Sequence, residues 1–356
     1  LLSQQNLVII QELYMKILVT GAAGFMGGHL VDALIQLNKH EIYAVDDLSG
    51  GYESNVNPKA HFMQLDLRDR HKVDAYISKI KPELIYHLAA DATEGRSQFT
   101  PLSATERNYL AFMYLLVPAI REGLKKIVVT SSMSVYGAQK PPFSEKMKKA
   151  PEDIYGIAKA AMEDAVEVMA KVYNFDYVII RPHNVYGPKQ NMADPYRNVI
   201  AIFINCLLNN KNFYIYGDGN QKRAFTYIDD FTPYMLKSGF SKNVNGKIIN
   251  IGPTEEYSIN QLAKIVLKVF FPDGKIPKEL LPSYVPMRPQ EVKEAFCTNT
   301  VAKALLGYKT SISLQKGIES MVTWAKKLGP QKFRYLKDGL ELENANMPKT
   351  WSKKLI

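Results

Sequence analysis

A glycine turn between a short apolar run and an amphipathic one constrains this chain more than any other feature. Lys16-Ile17-Leu18-Val19-Thr20 reads as a short buried strand, and the stretch from about Phe25 to Leu37 reads as a helix. Gly21, Gly24 and Gly27 occupy the turn between them. Glycine there permits a tight turn and lets the backbone approach a pyrophosphate, which rests at the helix N-terminus. The alternation then repeats. Glu41 to Val45, His61 to Leu65, Leu84 to Leu88, Ile127 to Val129, Tyr177 to Ile180 and Lys247 to Ile251 read as further strands, with helix-like runs between. This predicts an α/β fold, a doubly wound parallel sheet flanked by helices. Such sheets bind ligands at the carboxyl ends of their strands, where this chain places its polar residues.

After Pro182 the pattern changes to prolines, asparagines and tyrosines with short helices, which predicts a smaller α/β substrate-binding domain, partly interleaved with the first. The expected division is an extension over 1–14, a dinucleotide-binding domain over 15–182 plus about 224–252, a substrate domain over about 183–223 plus 253–330, and a tail over 331–356. Frequent lysines from Lys326 to Lys354 make that tail read as a solvated surface segment. The formal charge of +10 fits either a solvated basic surface or attraction for an anionic ligand. The basic residues form no stripe or recognition motif, so no nucleic-acid partner is expected. No apolar run approaches the roughly 18 residues of a spanning helix, so no membrane partner is expected. The start has no basic segment and no small-residue cleavage site, so no signal peptide is expected. The two cysteines, Cys206 and Cys297, have no metal-ligand or redox spacing, so no metal and a cytoplasmic location are expected.

Asp46 and Asp47 end the second strand, where a carboxylate can accept hydrogen bonds from an adenosine ribose and would repel a 2′-phosphate. That favours NAD over NADP. Asp66, at the end of the third strand, either lies beside the adenine or caps the next helix. Tyr155 and Lys159 are four residues apart, and on one helix they share a face. A tyrosine with a pKa near 10 is a poor base at neutral pH, but a nearby ammonium and a positive nicotinamide both favour the phenolate. Ser132, at the end of the fifth strand, can hydrogen-bond the same substrate oxygen. The helices around 102–121 and 155–173 are apolar over a wide arc, which fits deep burial or pairing with a second copy.

These motifs together resemble an extended short-chain dehydrogenase/reductase of the nucleotide-sugar epimerase branch, similar to UDP-glucose 4-epimerases. The resemblance runs from about Met15 to Trp324. It is carried by Thr20-Gly21-Ala22-Ala23-Gly24-Phe25-Met26-Gly27, His87-Leu88-Ala89-Ala90, Thr130-Ser131-Ser132-Met133-Ser134-Val135-Tyr136-Gly137, the Tyr155/Lys159 pair and Arg181-Pro182-His183-Asn184-Val185-Tyr186-Gly187. Arg223 before Tyr227-Ile228-Asp229-Asp230, and Arg288-Pro289-Gln290-Glu291-Val292, complete it. The resemblance implies a Rossmann-type sheet, NAD as cofactor and Ser132, Tyr155 and Lys159 as catalytic residues. It implies cofactor contacts from Gly21, Gly24, Phe25, Met26 and Gly27 in the turn, and from Asp46, Asp47, Ser49 and Gly50 after the second strand. Further cofactor contacts are implied for Asp66, Leu67, Leu88, Ala89, Ala90, Asn108, Thr130, Pro182 and His183, besides Tyr155 and Lys159. For the sugar nucleotide it implies Ser132, Ser134, Tyr155, Asn184, Asn198, Val199, Tyr214 and Tyr216, with Arg223 and Arg288 on the diphosphate and Glu291 and Ala295 nearby. Either arginine can equally be read as a surface ion-pair residue.

Two departures from the galactose-type pattern bear on the sugar. A lysine common after the strand-four motif is replaced near Ala92, in Asp91-Ala92-Thr93-Glu94. Pro182-His183 replaces an aromatic pair, and His183 either touches the nicotinamide edge or packs beneath it. Dehydratases of this family carry an Asp-Glu pair where Ser131-Ser132 stands here, and decarboxylases carry a glutamate where Ser134 stands. By resemblance, the expected reaction is 4-epimerisation of a UDP-sugar through a 4-keto intermediate, by a homodimer joined through those two helices. A 4-ketoreductase, a UDP-glucuronate epimerase and a non-catalytic NAD-binding regulator are the alternatives.

Overall fold

In the first strand, β1 (Lys16–Thr20), successive side chains enter opposite apolar clusters: Ile17 and Val19 one, Leu18 the other. A strand buried on both faces needs a continuous apolar run, and this one has it. The computed structural model describes residues 14–289, 291–336 and 339–356. All of the expected extension except Tyr14 lies outside the described residues, as does Gln290 of the arginine motif.

Seven parallel strands form the main sheet: β1, β2 (Glu41–Asp46), β3 (His61–Gln64), β4 (Leu84–His87), β5 (Lys126–Thr130), β6 (Asp176–Pro182) and β7 (Lys247–Ile251). Their order is β7-β6-β5-β4-β1-β2-β3. Chain direction across the sheet reverses between β1 and β4, the crevice where doubly wound folds bind ligands. Helices α1 (Phe25–Gln36), α2 (Arg70–Ile80), α3 (Ala111–Arg121) and α4 (Ile154–Tyr173) flank the sheet. One core joins α1 to the sheet, and the other joins α2, α3 and α4.

The second half adds α5 (Val199–Leu208), α6 (Ile259–Phe270) and α7 (Leu314–Leu328), with three small sheets. The apolar cluster on the α1 face continues without a break from Ile17 to Ile318 and Met321 of α7. Among the described residues no helix is long and apolar enough to cross a membrane.

Two local expectations change. The helix expected around 102–121 is interrupted: Pro101–Thr105 is followed by a π-helical turn over Glu106–Leu110, and only then by α3. The wide turn carries Asn108 inward, where its amide bonds Ala104 O and the Asp91 backbone. The described part of the segment from 331 onward keeps its lysines exposed, as expected, but it is anchored at two points. Trp351 is 4% exposed and packs edge-on against Phe99 and Tyr196. Glu341 accepts hydrogen bonds from the Leu102 and Ser103 amides, each at 2.8 Å.

Candidate active site

The turn after β1 and the loop after β4 lie in close contact. Gly21 has φ +69°, and a Cβ on it would meet Ala89 N at 2.7 Å. A Cβ on Gly27 would stand 2.0 Å from Gly21 O, so α1 can approach the turn only without a side chain there. These approaches open a cavity of about 780 Å3 along the carboxyl ends of the strands. That volume suits a ligand larger than a single sugar.

One arm of the cavity follows α1, β2 and β3. Gly21, Gly24, Phe25, Met26 and Gly27 line it, then Asp46, Asp47, Ser49, Gly50, Asp66 and Leu67. Asp46 accepts from the Leu48 amide at 2.8 Å and the Ala23 amide at 3.0 Å. Burial and neighbouring Asp47 still hold its carboxyl above the ordinary value. Asp66 does not cap α2. Asp69 does, accepting from Lys72 N, while Asp66 pairs with Arg68 at 2.6 Å. Asp47 pairs with Arg107 at 3.2 Å. Leu88, Ala89, Ala90, Thr130 and Pro182 line the cavity floor, and the buried Thr130 hydroxyl has no protein partner among the described residues.

Asn108 and His183 do not line the cavity. Asn108 braces the loop from behind, as described above. His183 is wholly buried, and a Cβ on Gly252 would meet its Cβ at 2.8 Å. Burial, with Arg181 nearby, pushes its pKa down to about 3, so the ring is neutral. Of the two readings of His183, packing beneath the floor is the one this geometry matches.

Ser132, Tyr155 and Lys159 meet where β5 ends and α4 begins. Asp153 fixes the start of α4 by accepting from Gly156 N at 2.7 Å, which sets Tyr155 in the first turn and Lys159 in the next. Lys159 is buried and donates to Thr130 O at 2.8 Å, and burial pushes its pKa down to about 7. Its Nζ lies 5.8 Å from the centre of the Tyr155 ring. The phenol itself departs from expectation. In the protein alone its pKa is raised, chiefly by burial and then by Glu94, against a lowering bond from Ser132. Beneath the site, Ser131 donates to Glu163 at 2.5 Å, and Arg181 grips the same carboxylate at 2.8 and 2.6 Å. Sequence reading missed Glu163, which lies one turn beyond Lys159 and carries no motif of its own.

The other arm runs toward the small sheets. Ser134, Asn184, Asn198, Val199, Tyr214 and Tyr216 line it, with Arg223, Arg288, Glu291 and Ala295. Asn198 precedes α5 with no side-chain cap and no acidic residue in the first turn, so free amides of a ten-residue helix open on the cavity. Glu291 bridges Arg223 at 2.9 Å and Arg288 at 2.7 Å. Burial raises the Glu291 carboxyl, but the two guanidiniums outweigh it and hold the group below the usual range. Arg288 stacks over Tyr216, 4.7 Å from its ring centre. The two arginines are therefore not stray surface residues: one carboxylate holds them side by side at the cavity wall.

Sequence reading also missed the last segment. Tyr335, Thr350 and Trp351 line the same arm, Thr350 bonds the Tyr216 hydroxyl, and a Cβ on Gly95 would lie 3.6 Å from both Trp351 and Arg288. Among the described residues no cluster of His, Cys, Asp or Glu has the geometry to hold a metal ion.

Residues 17–252 match the model of the NAD dependent epimerase/dehydratase family. A putative UDP-glucose 4-epimerase of Methanocaldococcus jannaschii is 34% identical over 313 residues, covering 87% of this chain and 98% of that protein. The structure of the Thermotoga maritima UDP-glucose 4-epimerase with UDP-glucose superposes with a TM-score of 0.80 at 34% identity, covering 88% of this chain and 99% of that one. A UDP-glucuronic acid 4-epimerase of Bacillus cereus, solved with UDP-glucuronic acid and NAD, gives a TM-score of 0.80 at 30% identity, over 88% and 100% of the two chains. With its glycine turn, its Ser-Tyr-Lys group and its doubly wound sheet, the chain belongs to the NAD dependent epimerase/dehydratase family, among the extended short-chain dehydrogenase/reductases of the nucleotide-sugar epimerase type.

Proposed function

We propose that this protein is an NAD-dependent 4-epimerase of a nucleotide-diphosphate sugar, acting on UDP-glucose and UDP-galactose and/or their N-acetylated forms. The observation that carries this reading is the convergence of Ser132, Tyr155 and Lys159 between the two arms of one cavity. The first arm suits a dinucleotide: close glycine turns, Asp46 at the end of β2 and the unpartnered Thr130 hydroxyl. The second suits a diphosphate, with Arg223, Arg288 and the open N-terminus of α5.

When bound, NAD supplies the acceptor and donor of a hydride at the sugar C4. Tyr155 removes the 4-hydroxyl proton and later returns it, while Ser132 Oγ holds the same oxygen. Lys159, one turn along α4, favours the phenolate and can reach the nicotinamide ribose. Arg223 and Arg288 hold the diphosphate throughout, so the 4-keto sugar can turn over while its nucleotide stays fixed. No net oxidation occurs, and the cofactor need not leave.

Incubation with a panel of UDP-, dTDP- and GDP-sugars, resolved by chromatography, tests this. Interconversion of C4 epimers in the UDP series is the expected result. A 4-keto-6-deoxy product, or no epimer from any member, would refute it. Denaturing the purified protein should release NAD, and NADP as the dominant species would overturn the cofactor assignment.

Ala295 supports the N-acetyl reading. It is a small residue that lines the cavity in register with Arg223 and backs onto the buried cluster of Tyr136, Phe143 and Cys297; Cys297 itself does not reach the cavity. Ala295→Tyr should leave UDP-glucose turnover largely intact and remove UDP-N-acetylglucosamine turnover, because an acetamido group and a phenol cannot share one close-packed space. Equal loss of both activities would count against this role.

Trp351 extends the second arm. Trp351→Ala should raise KM for the nucleotide sugar about tenfold, the scale of one lost aromatic anchor, and leave the dinucleotide bound. An unchanged KM would return this segment to a purely structural role.

The homodimer belongs to the same proposal. Val117 of α3 and Ile157, Val168 and Val172 of α4 are at least half exposed, forming an apolar face on the two helices expected to pair. Val168→Asp should shift sedimentation from two chains to one, and a monomeric native protein would exclude the dimer. A cytoplasmic location is proposed with it, on the two free, buried cysteines.

A further inference from the structure

The charges around the cavity separate by place. Arg68, Arg96, Arg107 and Arg197 each face a carboxylate of their own: Asp66, Asp91, Asp47 and Asp194. Arg223 and Arg288 share the single carboxylate of Glu291, so the diphosphate arm keeps one positive charge to spare. Beside Ser132 the balance is reversed. Glu94 enters the wall from the loop after β4, and its Oε1 lies 3.5 Å from Ser132 Oγ. Among the described residues no lysine or arginine pairs with Glu94 or with Asp153, which lines the same end of the cavity. The two carboxylates sense each other: burial first and then Glu94 push Asp153 up to about 7. Lys159 is buried and committed to Thr130 O, while the Arg223 and Arg288 guanidiniums feel the Glu94 charge from the diphosphate arm. Gly95, next to Glu94, leaves room for Arg288, whose guanidinium would lie 3.6 Å from a Cβ there.

We propose that Glu94 selects the sugar class: the site takes neutral or positively charged sugars and turns away uronic acids. The proposal rests on the epimerase reading and decides, within it, against glucuronate. A sugar carboxylate beside Ser132 would meet Glu94, and the Arg223 and Arg288 guanidiniums that feel Glu94 are already shared between Glu291 and the diphosphate. Like charges so placed in a partly desolvated site weaken binding by about 10–100-fold. Neutral hydroxyls or an amino group on the sugar can instead donate to Glu94.

The test measures Kd by calorimetry and kcat/KM on the NAD-loaded protein, for UDP-glucose and UDP-glucuronate, in the native chain, Glu94→Gln and Glu94→Asp. The native protein should bind UDP-glucuronate at least about tenfold more weakly than UDP-glucose. Glu94→Gln should close most of that gap, and Glu94→Asp, which keeps the charge, should preserve it. Equal native affinities, or a gap that Gln leaves unchanged, would overturn the proposal. Preferential binding of UDP-glucose without turnover would refute the epimerase reading and leave the charge selection standing. Binding of neither would remove both.

Discussion

Tyr155→Phe should lower turnover by about 10²–10⁴, the range for losing a general acid–base. The ring fills a buried site between Ser132 and Lys159, and phenylalanine fills the same space, so folding and cofactor binding should be nearly unchanged. The pKa of the phenol sharpens the expectation. In the protein alone, burial and then Glu94 raise it, so the neutral phenol dominates at pH 7. Phenolate is favoured only once the positive ring of bound NAD joins the Lys159 ammonium. The rate in the native protein should therefore climb with pH as the phenol ionises, and the residual rate of Tyr155→Phe should lack that limb. Lys159→Met should lose activity and also weaken the cofactor's hold. Wild-type turnover in Tyr155→Phe would refute the mechanism.

The second large effect is on stability. Glu163→Ala should destabilise the fold by about 3–5 kcal/mol, because it strands a buried guanidinium. Arg181 and Glu163 have side chains 1% and 0% exposed, and Glu163 is also the acceptor for Ser131. Burial alone would lower the Arg181 pKa, but its bonds to Glu163 outweigh that and raise it. Urea unfolding measures the loss directly. The double variant Arg181→Met/Glu163→Leu should recover most of it, because both buried charges go together. A loss below about 1 kcal/mol for Glu163→Ala, the scale of an exposed pair, would mean that solvent already compensates Arg181.

The parts legible in the sequence are those where one local pattern has one physical cause. The inner strands of the central sheet are buried on both faces and so appear as apolar runs, as in Lys16–Thr20 and Lys126–Thr130. The glycine turn is visible because no other residue fits where Gly21 meets Ala89 and Gly27 meets Gly21. Tyr155 and Lys159 are readable because helical spacing puts them on one face. The missed residues depend on distant partners. Trp351 and Thr350 sit among lysines with no apolar period, and their contacts are with Phe99, Tyr196 and Tyr216, more than 100 positions away. Glu94 opens a one-turn helix just after Asp91 and carries no pattern of its own, and the folding of β4 beside β5 brings it to Ser132. Asp66 is three residues short of the cap position: Asp69 caps the helix, and Asp66 pairs with Arg68 instead. His183 belongs to a conspicuous motif and Asn108 is expected at the cofactor, yet both support the cavity wall from behind.

The central claim is that one sugar carbon loses and regains its own hydrogen within a single site. Incubating the NAD-loaded protein with UDP-glucose in D2O and reading the product by proton NMR tests it most directly. The expected result is UDP-galactose carrying ordinary hydrogen at C4, since Tyr155 exchanges only the hydroxyl proton with solvent. Deuterium at C4, or a 4-keto-6-deoxy product in place of the epimer, would contradict the account.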